Sequence, residues 1–195
     1  LGNEEREVLK YAALLHDIGK IGIRDHVLLK NGPFTDDERR EMNTHPIKTK
    51  SILDKFRFPG RLQDVSAIAA HHHEKVNGKG YPDGLTGNEM HLGSKILAVA
   101  DVFDALTTER PYKEAWPIEQ AEDWIRSNSG TQFDPAVVAA FCATRDLARS
   151  VTKIEWSDRL SVGYPQMDED HRQLIAIINR LSTAGALDNR QVIEF

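Results

Sequence analysis

Apolar residues recur at helical spacing along most of the chain. Val8, Leu9, Ala12, Ala13 and Leu15 form one stripe that leads directly into His16. Leu62, Val65, Ile68 and Ala69 form a second, which ends in a run of histidines. Ile96, Leu97, Val99, Ala100, Phe103 and Leu106 form a third and place Asp101 among apolar neighbours. Thr35-Asp36-Asp37-Glu38 reads as a capping box and predicts a helix that carries the chain to His45. Pro46 interrupts that pattern, and Ile47, Ile52 and Leu53 predict that helix resumes beyond it. Glycines at 78, 80, 84, 87 and 93, with Pro82 and Asp83, predict a turn-rich loop over 77–93. Pro117 begins a helix through Trp124 and Ile125. Asp134-Pro135 supplies a cap and a first-turn proline for a helix from Ala136 to about Ala148. No segment alternates as a strand would. The pattern predicts an all-α fold, a helical bundle with an additional C-terminal helical segment.

The periodicity breaks near Arg149 to Lys153. Residues 154–170 read as loop, and an amphipathic helix follows from about Asp168 through Leu174, Ile175, Ile178 and Leu181. One domain is therefore expected over 1–149 and a separate unit over 150–195.

Composition narrows the function. A chain of 195 residues builds one ordinary domain plus a small appendage. A net charge of −5 leaves no excess of Lys and Arg to coat a nucleic-acid backbone, though a few local cations still suffice for a small phosphorylated ligand. Cys142 is the only cysteine, which excludes an intramolecular disulfide framework and predicts a reducing cytoplasm. Neither a bilayer-spanning apolar run nor a signal-like N-terminus is visible, so no membrane partner is expected.

The chemistry concentrates in two segments, His16-Asp17-Ile18-Gly19-Lys20 and His71-His72-His73-Glu74, the second running on to Gly80-Tyr81-Pro82. An adjacent His-Asp pair offers an imidazole and a carboxylate able to bridge two cations. Paired metals suit phosphodiester hydrolysis because they activate a bridging water and neutralise phosphoryl oxygens. His16, Asp17, His45, His72, His73 and Asp101 are the candidate ligands, with Asp17 the best bridge. Mixed imidazole and carboxylate donors suit iron, manganese or zinc better than an all-oxygen magnesium site. Isolated His26 and His91 read as filler. Lys20, Arg110 and Lys113 are either solvated cations or phosphate contacts, Arg110 as a planar fork and Lys113 as a point charge. Tyr81 either packs in the core or stacks on a base. The glycines at 78, 80 and 84 either form turns or admit a ligand to the backbone.

Taken in order and spacing, these motifs resemble the HD-GYP family, an all-α branch of the HD phosphohydrolases. His45-Pro46, Asp101-Val102-Phe103-Asp104-Ala105-Leu106, Arg110-Pro111-Tyr112-Lys113 and Gly130-Thr131-Gln132-Phe133-Asp134-Pro135 belong to the same match, which covers about 1–143. The resemblance implies hydrolysis of bacterial cyclic dinucleotides, chiefly cyclic di-GMP, to pGpG and onward to GMP. It implies two or more divalent metal ions, iron or manganese ahead of zinc or nickel. His16, Asp17, His45, His72, His73 and Asp101 match metal ligands, and Lys20 assists at the phosphate. Gly80, Tyr81, Arg110 and Lys113 match ligand-contacting positions, and the Gly-Tyr-Pro loop is also a contact for diguanylate cyclase domains.

The chain departs from the family in several places. It begins after a family helix that carries a further histidine ligand, so one metal site is expected to need Glu4, Glu5, Glu7 or a second chain; an apolar face left uncovered there predicts a homodimer. Thr49 stands at a usual glycine, Val76-Asn77 at a usual Trp-Asp, and His71 adds a third histidine beside the ligand pair. Two alternatives follow: a catalytically incomplete module that binds cyclic dinucleotide or a cyclase, and a phosphodiesterase for mixed cyclic GMP-AMP. The tail, from Ile154-Glu155-Trp156 to Met167-Asp168-Glu169-Asp170-His171, resembles the opening of a bacterial hemerythrin domain, with His171 at its first iron ligand. One imidazole does not hold a di-iron site, so His171 is expected to be a remnant in this chain and part of a sensor in a longer parent.

Overall fold

The three apolar stripes become α1 (Asn3–Leu15), α5 (Val65–Ala70) and α6 (Leu92–Thr107). This computed structural model describes residues 1–109, 114–150, 156–157 and 160–184, apart from the side chains of 147–150, 170 and 177–184. Val8 and Ala12 of α1 meet Leu53, Leu62, Val65, Ile68, Ala69 and Leu97 in one core. Burying each large aliphatic side chain there contributes about 1.5–3 kcal/mol. Between α1 and α5 the chain forms a 3₁₀ turn (Ile18–Gly22), α2 (Asp25–Leu28), α3 (Asp36–Met42), α4 (His45–Leu53) and a second 3₁₀ turn (Gly60–Leu62).

The outer face of α6 closes a second core. Val99 packs with Ile125 of α7 (Ile118–Ser127), with Phe133, and with Val137, Val138 and Cys142 of α8 (Pro135–Ser150). Lys95 of α6 bonds Asp134 at 2.9 Å, and Asp134 also accepts the Ala136 amide, so one carboxylate caps α8 and ties it to α6. A last helix, α9, spans Pro165–Ala184. Among the described residues there is no strand; extended pairing is limited to the isolated bridges Asn77–Thr86 and Ser129–Phe133. The fold is all-α.

Several element boundaries differ from the sequence expectation. The capping-box helix α3 stops at Met42 instead of reaching His45, because Asn43 and Thr44 close its last turn onto the Arg39 and Glu41 carbonyls. Pro46 then lies in the first turn of α4, where its missing N–H costs nothing, so it opens a helix and does not interrupt one. Similarly, α9 begins at Pro165, ahead of Asp168. The Asp168 carboxylate turns back to accept the Ser161 hydroxyl and the Val162 amide, which fixes the entry to that helix.

The chain divides into two compact units, Leu1–Cys142 and Ala143–Phe195. No helix among the described residues is long and apolar enough to cross a membrane.

Candidate active site

Four segments of the first unit carry chemically active side chains, three of them at a helix end. His16 caps α1, and Asp17 sits at the break before the 3₁₀ turn with φ −98° and ψ 5°. That bridge conformation is sparsely populated elsewhere and is common for active-site residues. His45 is the first residue of α4, His72 and His73 follow the end of α5, and Asp101 lies in α6. The turn carrying Asp17 seats directly on α4 because residue 19 is glycine: a Cβ there would lie 2.0 Å from the His45 carbonyl and 2.4 Å from the Thr49 nitrogen.

Three histidines are oriented by the same device. His16, His45 and His72 each direct Nδ1 to the carbonyl three residues earlier, at 2.7, 2.8 and 2.6 Å. A carbonyl only accepts, so Nδ1 carries a proton and donates it; in each neutral ring the lone pair is therefore on Nε2. Those Nε2 atoms converge. His45 Nε2 lies 3.4 Å from His72 Nε2 and 3.3 Å from Asp17 Oδ1. His16 Nε2 lies 3.3 Å from Asp17 Oδ2 and 3.7 Å from Asp101 Oδ1. The His73 ring centroid is 4.0 Å from that of His72 and 5.0 Å from that of His45. Lys20 donates to Asp17 Oδ2 at 2.5 Å.

Among the described residues two groups could hold a metal ion, His45-His72-His73 and His16-Asp17-His72, each with donor atoms within 4.8 Å of one another. Asp17 reaches both. Its Oδ1 is buried without a hydrogen-bond partner among the described residues, an arrangement that costs free energy unless a cation completes it. The residues present therefore fit divalent ions that take imidazole and carboxylate donors.

The electrostatics agree. Burial, reinforced by neighbouring imidazoles, pushes His72 down to about 4 and His73 down to about 3, so both rings are neutral at pH 7. For His16 burial also opposes charge, but the Asp101 and Asp17 carboxylates outweigh it and raise the ring to about 10. A proton on His16 thus stands where a cation would serve the same carboxylates. Burial favours the neutral form of Asp17, yet His16, His45 and Lys20 together hold its carboxyl far below the usual range. Asp101 is lowered in the same way, its burial outweighed chiefly by His16.

The loop beside this centre is built around a residue to which sequence reasoning gave no role. Glu74 is 1% exposed, and its carboxylate accepts the consecutive amides of Asp83, Gly84 and Leu85 at 2.6, 3.0 and 3.0 Å. The sequence signal is its place at the end of the His71-His72-His73-Glu74 segment, just ahead of a glycine-rich stretch. Gly80 passes so close to this anchor that a Cβ would lie 2.4 Å from Glu74 Cα and 2.3 Å from the Lys75 nitrogen. The loop thereby lays the Tyr81 ring 4.9 Å from that of His73, and burial pushes the phenol up to about 12. His71 turns away from the ligand groups and meets Asp83 at 2.9 Å. Val76 and Asn77 are held by backbone bonds to Gln132 and Thr131, and Val76 packs against Gly87 within the loop. Arg110 and Lys113 lie outside the described residues.

The family model described as HD domain matches residues 1–137. The chain belongs to the HD domain family. This HD domain chain is 46% identical over 147 residues to the "Cyclic di-GMP phosphodiesterase response regulator RpfG" of Xanthomonas campestris pv. campestris, covering 74% of the chain and 38% of that relative. It is 46% identical over 133 residues to a "Cyclic di-GMP phosphodiesterase" of Thermotoga maritima, covering 68% and 36%. It is 40% identical over 140 residues to "3'3'-cGAMP-specific phosphodiesterase 3" of Vibrio cholerae, covering 72% and 30%. The chain therefore spans about a third of the length of these curated relatives. A crystal structure of a cyclic GMP-AMP specific phosphodiesterase of V. cholerae shares the fold, with a TM-score of 0.57 at 21% identity over 95% of this chain and 53% of the other.

Proposed function

We propose that this HD domain is the catalytic part of an HD-GYP phosphodiesterase that hydrolyses cyclic di-GMP to pGpG and then GMP. The observation that carries this reading is the convergence of His16, Asp17, His45, His72, His73 and Asp101, from four separate segments, on one space with their donor atoms facing inward. His45, His72 and His73 form the imidazole-rich set and His16, Asp17 and His72 the mixed set, with Asp101 beside His16 and Asp17 as the bridging carboxylate. These residues would hold divalent ions, iron or manganese by the donor types, which would neutralise phosphoryl charge and supply a nucleophilic water at neutral pH. Lys20 keeps the Asp17 carboxylate oriented and brings an ammonium to the phosphoryl oxygen. Tyr81 offers its ring to a nucleobase beside Gly80, and Arg110 and Lys113 take the second phosphate.

A second substrate has support of its own. Relatives named as 3'3'-cGAMP phosphodiesterases reach 40% identity, close to the 46% of those named for cyclic di-GMP. The same Gly-Tyr-Pro loop is the proposed face for diguanylate cyclase domains, a homodimer the proposed assembly and the cytoplasm the proposed compartment. For the second unit, the motif ending at His171, nearly two turns into α9, supports a hemerythrin-like opening. Among the described residues no metal-ligand group includes His171, so the proposal assigns it no chemistry in this chain.

The test is elemental analysis of anaerobically prepared protein, with cyclic di-GMP and 3'3'-cGAMP turnover followed in the same sample. Bound metal with pGpG as the faster product supports the first reading. Faster loss of the mixed dinucleotide supports the second. Bound dinucleotide left intact by metal-loaded protein refutes both and leaves a binding module.

A further inference from the structure

Thr49 is fully buried on α4, one helical turn after His45 and on the same face. Its hydroxyl donates to the His16 carbonyl at 2.8 Å and accepts the Gly19 amide at 3.0 Å. These two backbone groups flank Asp17. The first is a helix-end carbonyl and the second an amide in the first turn of the 3₁₀ segment, and neither class has an assured partner of its own. One side chain therefore supplies both and pins the His16-Asp17 corner to the helix that carries His45. Glycine at 19 makes the contact close enough, since a Cβ there would lie 2.7 Å from Thr49 Oγ1.

We propose that Thr49 is a positioning residue that sets the spacing of Asp17 from His45, now 3.3 Å between Oδ1 and Nε2, and so tunes cation affinity at the centre. This rests on reading the His-Asp cluster as a metal site. The role belongs to the hydroxyl. Valine at 49 keeps the shape but leaves a buried carbonyl and a buried amide unbonded, and the corner shifts to find partners. Serine keeps both bonds and loses only the methyl group. A residue that merely filled space would show the opposite ranking.

The experiment titrates Mn²⁺ into the metal-free 195-residue chain, following the electron paramagnetic resonance signal of free aqueous Mn²⁺, for the wild type, Thr49→Val and Thr49→Ser. Thr49→Val is expected to weaken Mn²⁺ binding by about tenfold or more, the range found when a group supporting a metal ligand is lost. Thr49→Ser is expected to bind as the wild type does. Wild-type affinity in Thr49→Val, or a loss in Thr49→Ser as large as in Thr49→Val, overturns the proposal while the metal site stands. If Thr49→Val does not fold, Thr49→Ser decides: unchanged affinity supports the hydroxyl and weakened affinity overturns it. A wild-type chain that takes up no Mn²⁺ overturns both the metal site and the role of Thr49.

Discussion

The Nε2 atoms of His45 and His72 face one another at 3.4 Å, while the Nδ1 of each ring is bonded to a backbone carbonyl. Two nitrogen lone pairs aimed at each other repel unless a proton or a cation lies between them. The backbone has fixed which nitrogen faces inward, so the apposition is set by the fold and does not depend on side-chain rearrangement.

Acidification should destabilise the metal-free protein over a definite window. His72 and His73 are depressed from 6.5 to about 4 and about 3, so below pH 6.5 the unfolded chain binds more protons than the folded one. Stability present above pH 6.5 is then lost as pH falls toward 4, and the depressed carboxyl of Asp17 acts in the same direction. His16 behaves oppositely: raised to about 10, its contribution is complete below 6.5 and lost as pH rises through 10. The melting temperature of metal-free protein should therefore drop on both sides of neutrality. A flat acid limb would contradict the burial of neutral His72 and His73.

Asp17→Ala removes the one carboxylate that reaches both ligand groups. Metal content and cyclic-dinucleotide turnover should fall together, turnover by at least about a hundredfold, since even outer-shell partners cost tenfold to a hundredfold. Elemental analysis and a product assay on one preparation check this. Full metal content with normal turnover would remove Asp17 from its bridging role.

Glu74→Gln places a side-chain amide against three backbone amides that all need an acceptor. Leaving buried donors unsatisfied costs about 1–3 kcal/mol each. Glutamine keeps one acceptor oxygen, so one of these donors loses its partner and the melting temperature should fall by about 2–12 °C, at roughly 2–4 °C per kcal/mol for a chain of this size. Because the same anchor positions Tyr81, KM for the dinucleotide should rise while bound metal is retained. Unchanged melting would show that the loop has another support.

The helices were legible where burial imposes a period. Val8 and Ala12, Val65 and Ile68, and Leu97 all recur at helical spacing because the first core demands it. The break between α3 and α4 was not, since Asn43 and Thr44 end a helix through backbone bonds that many residues can make. The chemical identity of His16, Asp17, His45, His72, His73 and Asp101 was readable from side-chain type. Their partition into two groups sharing His72 was not, because it depends on how α1, α4 and α5 converge. Glu74 and Thr49 escaped for one reason. Each acts on backbone groups distant in sequence: the Glu74 partners are nine to eleven residues ahead, and the Thr49 partners 30 and 33 residues behind. Side-chain spacing carries no trace of such bonds.

The Glu74 anchor also limits how the loop can recognise a phosphate. Glycine-rich loops that grip phosphate do so with a cradle of unengaged amides. Here the amides of Gly78, Lys79, Tyr81, Asp83, Gly84, Leu85, Thr86 and Gly87 all donate within the protein, three of them to a resident carboxylate. The anion at the heart of this loop is the protein's own. The loop can present a ring face and a contour, but discrimination by charge falls to side-chain cations and the histidine-lined centre. Evolution of base preference and of phosphate affinity can then proceed on separate parts of the molecule.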